Sequence, residues 1–445
     1  MSKSERPHFP TDESTRPAPK RPAPRLLTAD RQQRFLRPTE IDSLLPAHHR
    51  ARVIWEFTGG LDLSPLTAKI KAVEGHAGAP AIDPRILLAM WMYAISEGVG
   101  KARVLARLCE SHDAYRWILG GVTVNYHTLS DFRRRHEAEV DALLTQSLGV
   151  LLHEGLLSLE RVAQDGMRVR ASAGAASFRR KPRLEQCLAA AEAQVERLKQ
   201  EADEPPDEPP DGGRSARRRA AQERAARERL KRVRRALAAL PAAQAAKQPG
   251  QEDRARVSTT DPDARVMKLA DGGFRPAFNV EFGTDTASQL IVAVDVINLG
   301  SDLAQLGPSL DQVQARCGQL PGAVLVDGGF AAVASITAAE RRGVTVYAPV
   351  QQPKDPARDP HLPRPGDSPE VAAWRVRMGT DHAKAVYKER AATAECVNAL
   401  ARLRSLARFW VRGLRAVRCV ALLVALTHNA LRRAALLHAR TAATT

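Results

Sequence analysis

Residues 323–329 read Ala323-Val324-Leu325-Val326-Asp327-Gly328-Gly329. An unbroken apolar run with no alternation predicts a strand buried on both faces, as in the parallel part of an α/β sheet. Asp327 closes that strand at its carboxyl end, where open α/β sheets gather their functional groups. Gly328-Gly329 leaves the backbone beside it permissive. The purely structural alternative for Asp327 is an Asx-turn or the N-cap of the following helix.

The pattern extends in both directions. Downstream, a helix is expected over Ala331–Arg342 and a short strand over Val344–Tyr347. Upstream, Leu303–Cys317 reads as a helix, and Phe278–Phe282 and Leu290–Ile297 as strands around a turn at Gly283–Thr286. Further back, Arg161-Val162-Ala163-Gln164-Asp165-Gly166-Met167-Arg168-Val169-Arg170 is a strand candidate with Asp165 in mid-sheet. An acid there is costly unless it meets a cation. Two hairpin-linked strands beside two joined through helical crossovers give an α/β fold with a mixed five-stranded sheet and flanking helices.

The stretch 181–256 changes character. A charged amphipathic helix over Leu184–Ala202, an acidic Pro-rich turn over Asp203–Gly213 and a very basic helix over Arg214–Leu240 predict a helical hairpin inserted into the α/β domain of 156–435. Its arginines suit DNA phosphates, or form a solvated surface. Residues 1–35 read as a flexible basic arm and 36–155 as a helical N-terminal domain, with Asp83-Pro84 opening one helix. Helices over Lys101–Cys109 and Thr128–Arg135, the latter ending in Arg133-Arg134-Arg135, are reminiscent of a helix-turn-helix unit, or of a small helical domain with a basic face. Residues 351–380 begin as a Pro-rich loop. The chain is largely helical from about Ala383, with 436–445 as a tail.

The 445 residues carry 67 Lys and Arg against 50 Asp and Glu, a formal charge of +17. That excess favours a polyanionic partner. The longest apolar run, Val417–Leu426, is interrupted by Arg418 and is shorter than a membrane span. Met1–Arg25 lacks the apolar region of a secretory signal. The five cysteines show no zinc spacing. Nucleic acid is the partner these features leave.

A third acid comes from the late helix. At about 100° per residue, Tyr387, Glu395, Asn398 and Arg402 share one side, and Glu389 points away. Carboxylates facing DNA in a basic chain suit two Mg²⁺ or Mn²⁺ ions and phosphodiester chemistry. The other acids read as structural: Asp302 as a cap of the following helix, Asp261 and Asp263 as turn residues, Asp295 as an outward strand position. His127, His382 and His428 form no metal-ligand spacing.

Three blocks, Val162–Ala171, Val324–Phe330 and Tyr387–Ala399, together resemble the bacterial insertion-sequence transposases of the DDE type, over about residues 50–435. Thr260–Arg265 and Val411–Leu414 fit the same pattern. The resemblance implies an RNase H-like core and a metal-binding catalytic triad of Asp165, Asp327 and Glu395. It implies that Tyr387, Arg390 and Arg402 contact the transposon end, with Arg402 where the family's Tyr-Arg-Glu-Lys signature has Lys. Arg168, Arg133, Arg134 and Arg135 are the further DNA-contact candidates. Residues 50–150 are then expected to help recognise terminal inverted repeats, and a homodimer to hold two DNA ends in the cytoplasm. A nuclease with the same core, and a non-catalytic DNA-binding descendant, are the alternatives.

Overall fold

The computed structural model describes residues 40–73, 75, 79–203, 214–353, 355 and 357–444. The expected basic arm and most of the acidic turn lie outside the described residues. Strands in chain order are β1 (Arg161–Arg170), β2 (Phe178–Arg179), β3 (Val257–Ser258), β4 (Arg265–Lys268), β5 (Phe274–Asp285), β6 (Ile291–Ile297), β7 (Ala323–Leu325) and β8 (Thr345–Tyr347). β1 lies at the centre of the main sheet. It pairs antiparallel with β5, Asp165 opposite Phe282, and parallel with β7, Val162 beside Val324. β8 continues the parallel side. β6 and β4 both pair antiparallel with the far edge of β5.

The sheet therefore has six strands rather than the expected five. The additional one, β4, forms a hairpin with β5 through Asp271-Gly272-Gly273, and Gly272 takes a φ of +80°. Only Met267 of β4 is buried, so its hydrophobic signal is slight. β5 also runs through Gly283-Thr284-Asp285, where the sequence predicts a turn. The chain reverses later, and the Asp285 carboxylate accepts hydrogen bonds from Ser288 N (2.8 Å) and Ser288 Oγ (2.6 Å).

The helices are α1 (Arg50–Gly59), α2 (Ser64–Thr67), α3 (Pro84–Ser96), α4 (Ala102–Ser111), α5 (Asp113–Leu119), α6 (Tyr126–Arg135), α7 (Glu137–His153), α8 (Lys181–Asp203), α9 (Arg214–Ala238), α10 (Leu240–Ala245), α11 (Leu306–Cys317), α12 (Val333–Arg341), α13 (Pro369–Gly379), α14 (Asp381–Arg390), α15 (Cys396–Ala401) and α16 (Leu414–Thr444). Asp83 caps α3 by accepting from Arg85 N, with Pro84 at the first helical position. α13 arises inside the Pro-rich stretch: Ser368 caps it and Pro369 takes the start, where a missing N–H costs nothing.

One face of the sheet, with Phe278, Val280 and Phe282, packs on α16 and on the N-terminal helices, including Trp91, Leu129 and Leu144. The described part of the segment 36–155 thus shares one hydrophobic core with the sheet. α16 has 31 residues and is long and apolar enough by composition to cross a membrane, more than the run Val417–Leu426 suggests. Its apolar window is 78% buried inside the molecule, as a core helix requires. A second core gathers Val324, Leu325, Phe330, Val346 and Trp374 around β7 and β8. The α8–α9 hairpin has small apolar clusters of its own, such as Val195, Leu198 and Ala226. The short pair β2–β3 closes its base.

Candidate active site

β7 pairs with β1 only over Arg161–Ala163, so the parallel pairing ends just before Asp165. Into that crevice Asp165 projects with its side chain 18% exposed. Asp165 Oδ1 accepts from Arg390 Nη2 at 3.0 Å, and Oδ2 from Asn398 Nδ2 at 2.9 Å. The same Arg390 nitrogen lies 3.7 Å from Asp327 Oδ2. Asp327 also accepts from Gly329 N at 2.8 Å, so the Asx-turn exists alongside the carboxylate's position in the crevice. Burial pushes the Asp165 carboxyl up. Arg390 pulls it down, and the charges of Asp327 and Asp302 push it up again.

A local irregularity lets one helix reach Asp165 twice. Between α14 and α15 the backbone widens into a π turn over Ala391–Glu395. At about 100° per residue, positions eight apart on a straight α-helix diverge by about 80°. A π turn takes up roughly one extra residue. The two ends come back into phase, and Arg390 and Asn398 meet the same carboxylate.

Glu395 is the last residue of the π turn. It is exposed and makes no hydrogen bond or ion pair among the described residues. Glu389 is elsewhere, as the helical angle predicts: its Oε2 accepts from Arg161 Nε at 2.9 Å. Tyr387 is half-buried, and its hydroxyl is raised chiefly by burial, with Arg390 lowering it and Asp327 and Asp165 raising it. Arg402 is exposed, and Arg168 reaches the Gly300 carbonyl at 2.8 Å. The structure therefore brings Asp165, Asp327, Arg390 and Tyr387 together. The Arg402 side chain makes no hydrogen bond or ion pair among the described residues.

The basic run on α6 divides. Arg134 and Arg135 are exposed and pair with Asp131 at 3.7 and 2.9 Å. Arg133, expected to face DNA, is instead 5% exposed. Its guanidinium donates to the Gly100 carbonyl and lies 4.4 Å from the centre of the Trp91 ring. Burial lowers it to about 10. Helical geometry explains the correction: Arg133 is four residues after buried Leu129, on the core face of α6.

Three polar residues, Asn279, Glu281 and Gln164, escape the sequence reading, and a fourth, Asp302, has another role than the cap expected. Asp302 does not cap α11, which starts at Leu306 after Gln305. Its carboxylate accepts from Asn279 Nδ2 instead. Asn279 also donates to Glu281 Oε1 at 2.6 Å, and Gln164 lies on the same face of β1. Glu281 is 4% exposed, and burial, reinforced by Asp302 and Asp165, pushes its carboxyl up to about 9. The available signal was Phe278-Asn279-Val280-Glu281-Phe282, with polar residues at alternate positions of an apolar strand. Asp261 and Asp263 do more than turn the chain: they accept from Gly413 N (3.2 Å) and Leu414 N (2.9 Å) at the start of α16.

Among the described residues no group of three His, Cys, Asp or Glu side chains is arranged to hold a metal ion. Glu395 stands exposed, and both Asp165 oxygens are taken by Arg390 and Asn398. No curated protein and no solved structure matches the chain. Residues 39–135, which contain α1–α6, match the family model described as Transposase domain (DUF772), and this match supports a transposase family for the chain.

Proposed function

We propose that the chain is a DDE-type DNA transposase that binds the terminal inverted repeats of an insertion sequence and cleaves and transfers its strands. The observation that carries this reading is the Arg390 guanidinium, held by a late helix against two acids, Asp165 and Asp327, from neighbouring parallel strands. The strand order supports an RNase H-like core: three antiparallel strands, then two parallel to the first. The transposase-domain match supports DNA as the partner.

The donor set fits magnesium or manganese. Asp165 and Asp327 offer hard carboxylate oxygens, and they already share one cation, the Arg390 guanidinium. Asp165, Asp327 and Glu395 would hold the metal. Two such ions, when bound, supply positive charge to the attacking and leaving oxygens of phosphodiester transfer.

The chain's own residues position the DNA. Arg390, Tyr387 and Arg402 meet the transposon end, Arg168 stands beside the crevice, and Arg134 and Arg135 hold phosphates from α6. Water attacks a phosphodiester at the element's end, leaving a 3′-hydroxyl and a 5′-phosphate; that 3′-hydroxyl then attacks a target phosphodiester and displaces a target 3′-hydroxyl, with no covalent enzyme intermediate. The protein contributes orientation and charge rather than a nucleophile. A homodimer holds the two ends together in the cytoplasm.

A labelled terminal repeat offered with Mg²⁺ and a supercoiled plasmid tests this reading. Plasmid-joined label is the expected product. Cut but never joined label identifies a nuclease, and bound but uncut label a non-catalytic DNA-binding protein.

A further inference from the structure

Asp302 lies outside the three acids assigned above, yet its carboxylate reaches the same crevice. A Cβ on Gly166, the residue after Asp165, would lie 2.8 Å from Asp302 Oδ1 and 2.7 Å from Glu281 Oε1. A Cβ on Gly329 would lie 3.6 Å from Asp302 Oδ2 and 3.0 Å from Asp327 Oδ1. Asp302 therefore sits between the strand that carries Asp165 and the turn that carries Asp327. Only a residue without a side chain at Gly166 admits it so close to β1.

The wall behind Asp302 independently points to a cation. Asn279 Oδ1 and Gln164 Oε1, on side chains of residues each 1% exposed, lack donors. Asn279 Nδ2 serves both Glu281 and Asp302. Buried oxygens without donors are costly unless a donor or cation meets them. The neighbouring guanidinium, Arg390, is engaged with Asp165 and Asp327, and among the described residues no ion pair reaches Asp302.

We infer that Asp302 is a further ligand of the divalent-cation site, acting with Asp165 and Asp327, and that Asn279 orients its carboxylate from behind. The inference rests on the reading that Asp165 and Asp327 hold metal. It differs from that reading in drawing a ligand from the loop before α11. Cation entry then requires the Arg390 guanidinium to withdraw from Asp165.

Titration of the metal-free full-length protein with Mn²⁺, reading free ion by electron paramagnetic resonance, tests it without any activity measurement. Asp302→Asn is expected to weaken Mn²⁺ binding about tenfold or more, Asp302→Glu to recover part of that loss, and Asp165→Asn to weaken binding at least as much. Thermal unfolding in metal-free buffer checks each fold. Asp302→Ser, a small polar loop residue without a carboxylate, is read in the same way should the Asn variant not fold. Wild-type affinity in Asp302→Asn with weakened binding in Asp165→Asn overturns this inference alone. Wild-type affinity in Asp165→Asn overturns the metal-site reading with it.

Discussion

Arg390 neutralises two acids that would otherwise face each other at the end of the parallel pairing. Arg390→Gln removes the charge and leaves Asp165 partly buried without its ion-pair partner. In metal-free buffer the variant is expected to lose about 1–3 kcal/mol of stability by urea unfolding. Added Mn²⁺ should narrow the gap, because a ligand that binds only the folded state adds stability. Equal stability with and without Arg390 would mean the guanidinium is not neutralising the site. Glu281 gives a pH test. Its carboxyl is raised from 4.5 to about 9 in the fold, so its contribution is fully present below about pH 4.5 and is lost as pH rises toward about 9. The stability difference between Glu281→Gln and wild type should therefore shift in favour of the variant from pH 5 to pH 9. A difference independent of pH would contradict the raised carboxyl. At this scale the sequence made Asp327 and Asp165 legible, because a strand end and an acid in an apolar run are local signals. Asp302 was hidden because its role comes from a fold that brings a loop to Gly166. Arg133 was misread as surface because its neighbours in sequence, Arg134 and Arg135, are exposed while it lies on the α6 core face.

The late helix owes its reach to the π turn at Ala391–Glu395. Inserting one alanine after Ala392, beyond the single extra residue the π turn takes up, is expected to rotate Asn398 and everything after it by roughly 100° relative to Arg390. Such a variant should keep cooperative unfolding but lose the Asp165–Asn398 hydrogen bond and DNA cleavage together. Retained cleavage would show that the phase set by the π turn is not needed. Ideal-helix spacing predicts different sides for Glu389 and Glu395, of which the first is committed to Arg161 and the second is exposed. It could not put Arg390 and Asn398 on one carboxylate, because the extra residue leaves no mark in an apolar, alanine-rich stretch. β4 was missed for a related reason: one buried residue in four carries little period-2 signal, and only Asp271-Gly272-Gly273 announces its hairpin.

Across the whole molecule, the α8–α9 hairpin is separable in a way the N-terminal helices are not. Its apolar clusters are its own, whereas α1–α7 share a core with α16 and the sheet. Replacing 181–256 with a short Gly-Ser linker should leave the sheet folded and Mn²⁺ binding intact. It should weaken DNA binding and flatten its salt dependence, by about 0.9 in log–log slope for each phosphate the hairpin had neutralised. Unchanged affinity and slope would make the arginines of α9 a solvated surface. The order of the principal strands and helices was readable from periodicity and turn residues. The shared core was not, because a basic helical segment reads the same whether it folds alone or against α16. The central claim remains that Asp165 and Asp327 act as one catalytic site on DNA, and the most direct measurement is cleavage of a labelled terminal repeat by Asp327→Asn in Mg²⁺, with binding followed in parallel by gel shift. The account predicts wild-type binding with cleavage reduced roughly a thousandfold; cleavage at the wild-type rate would contradict it.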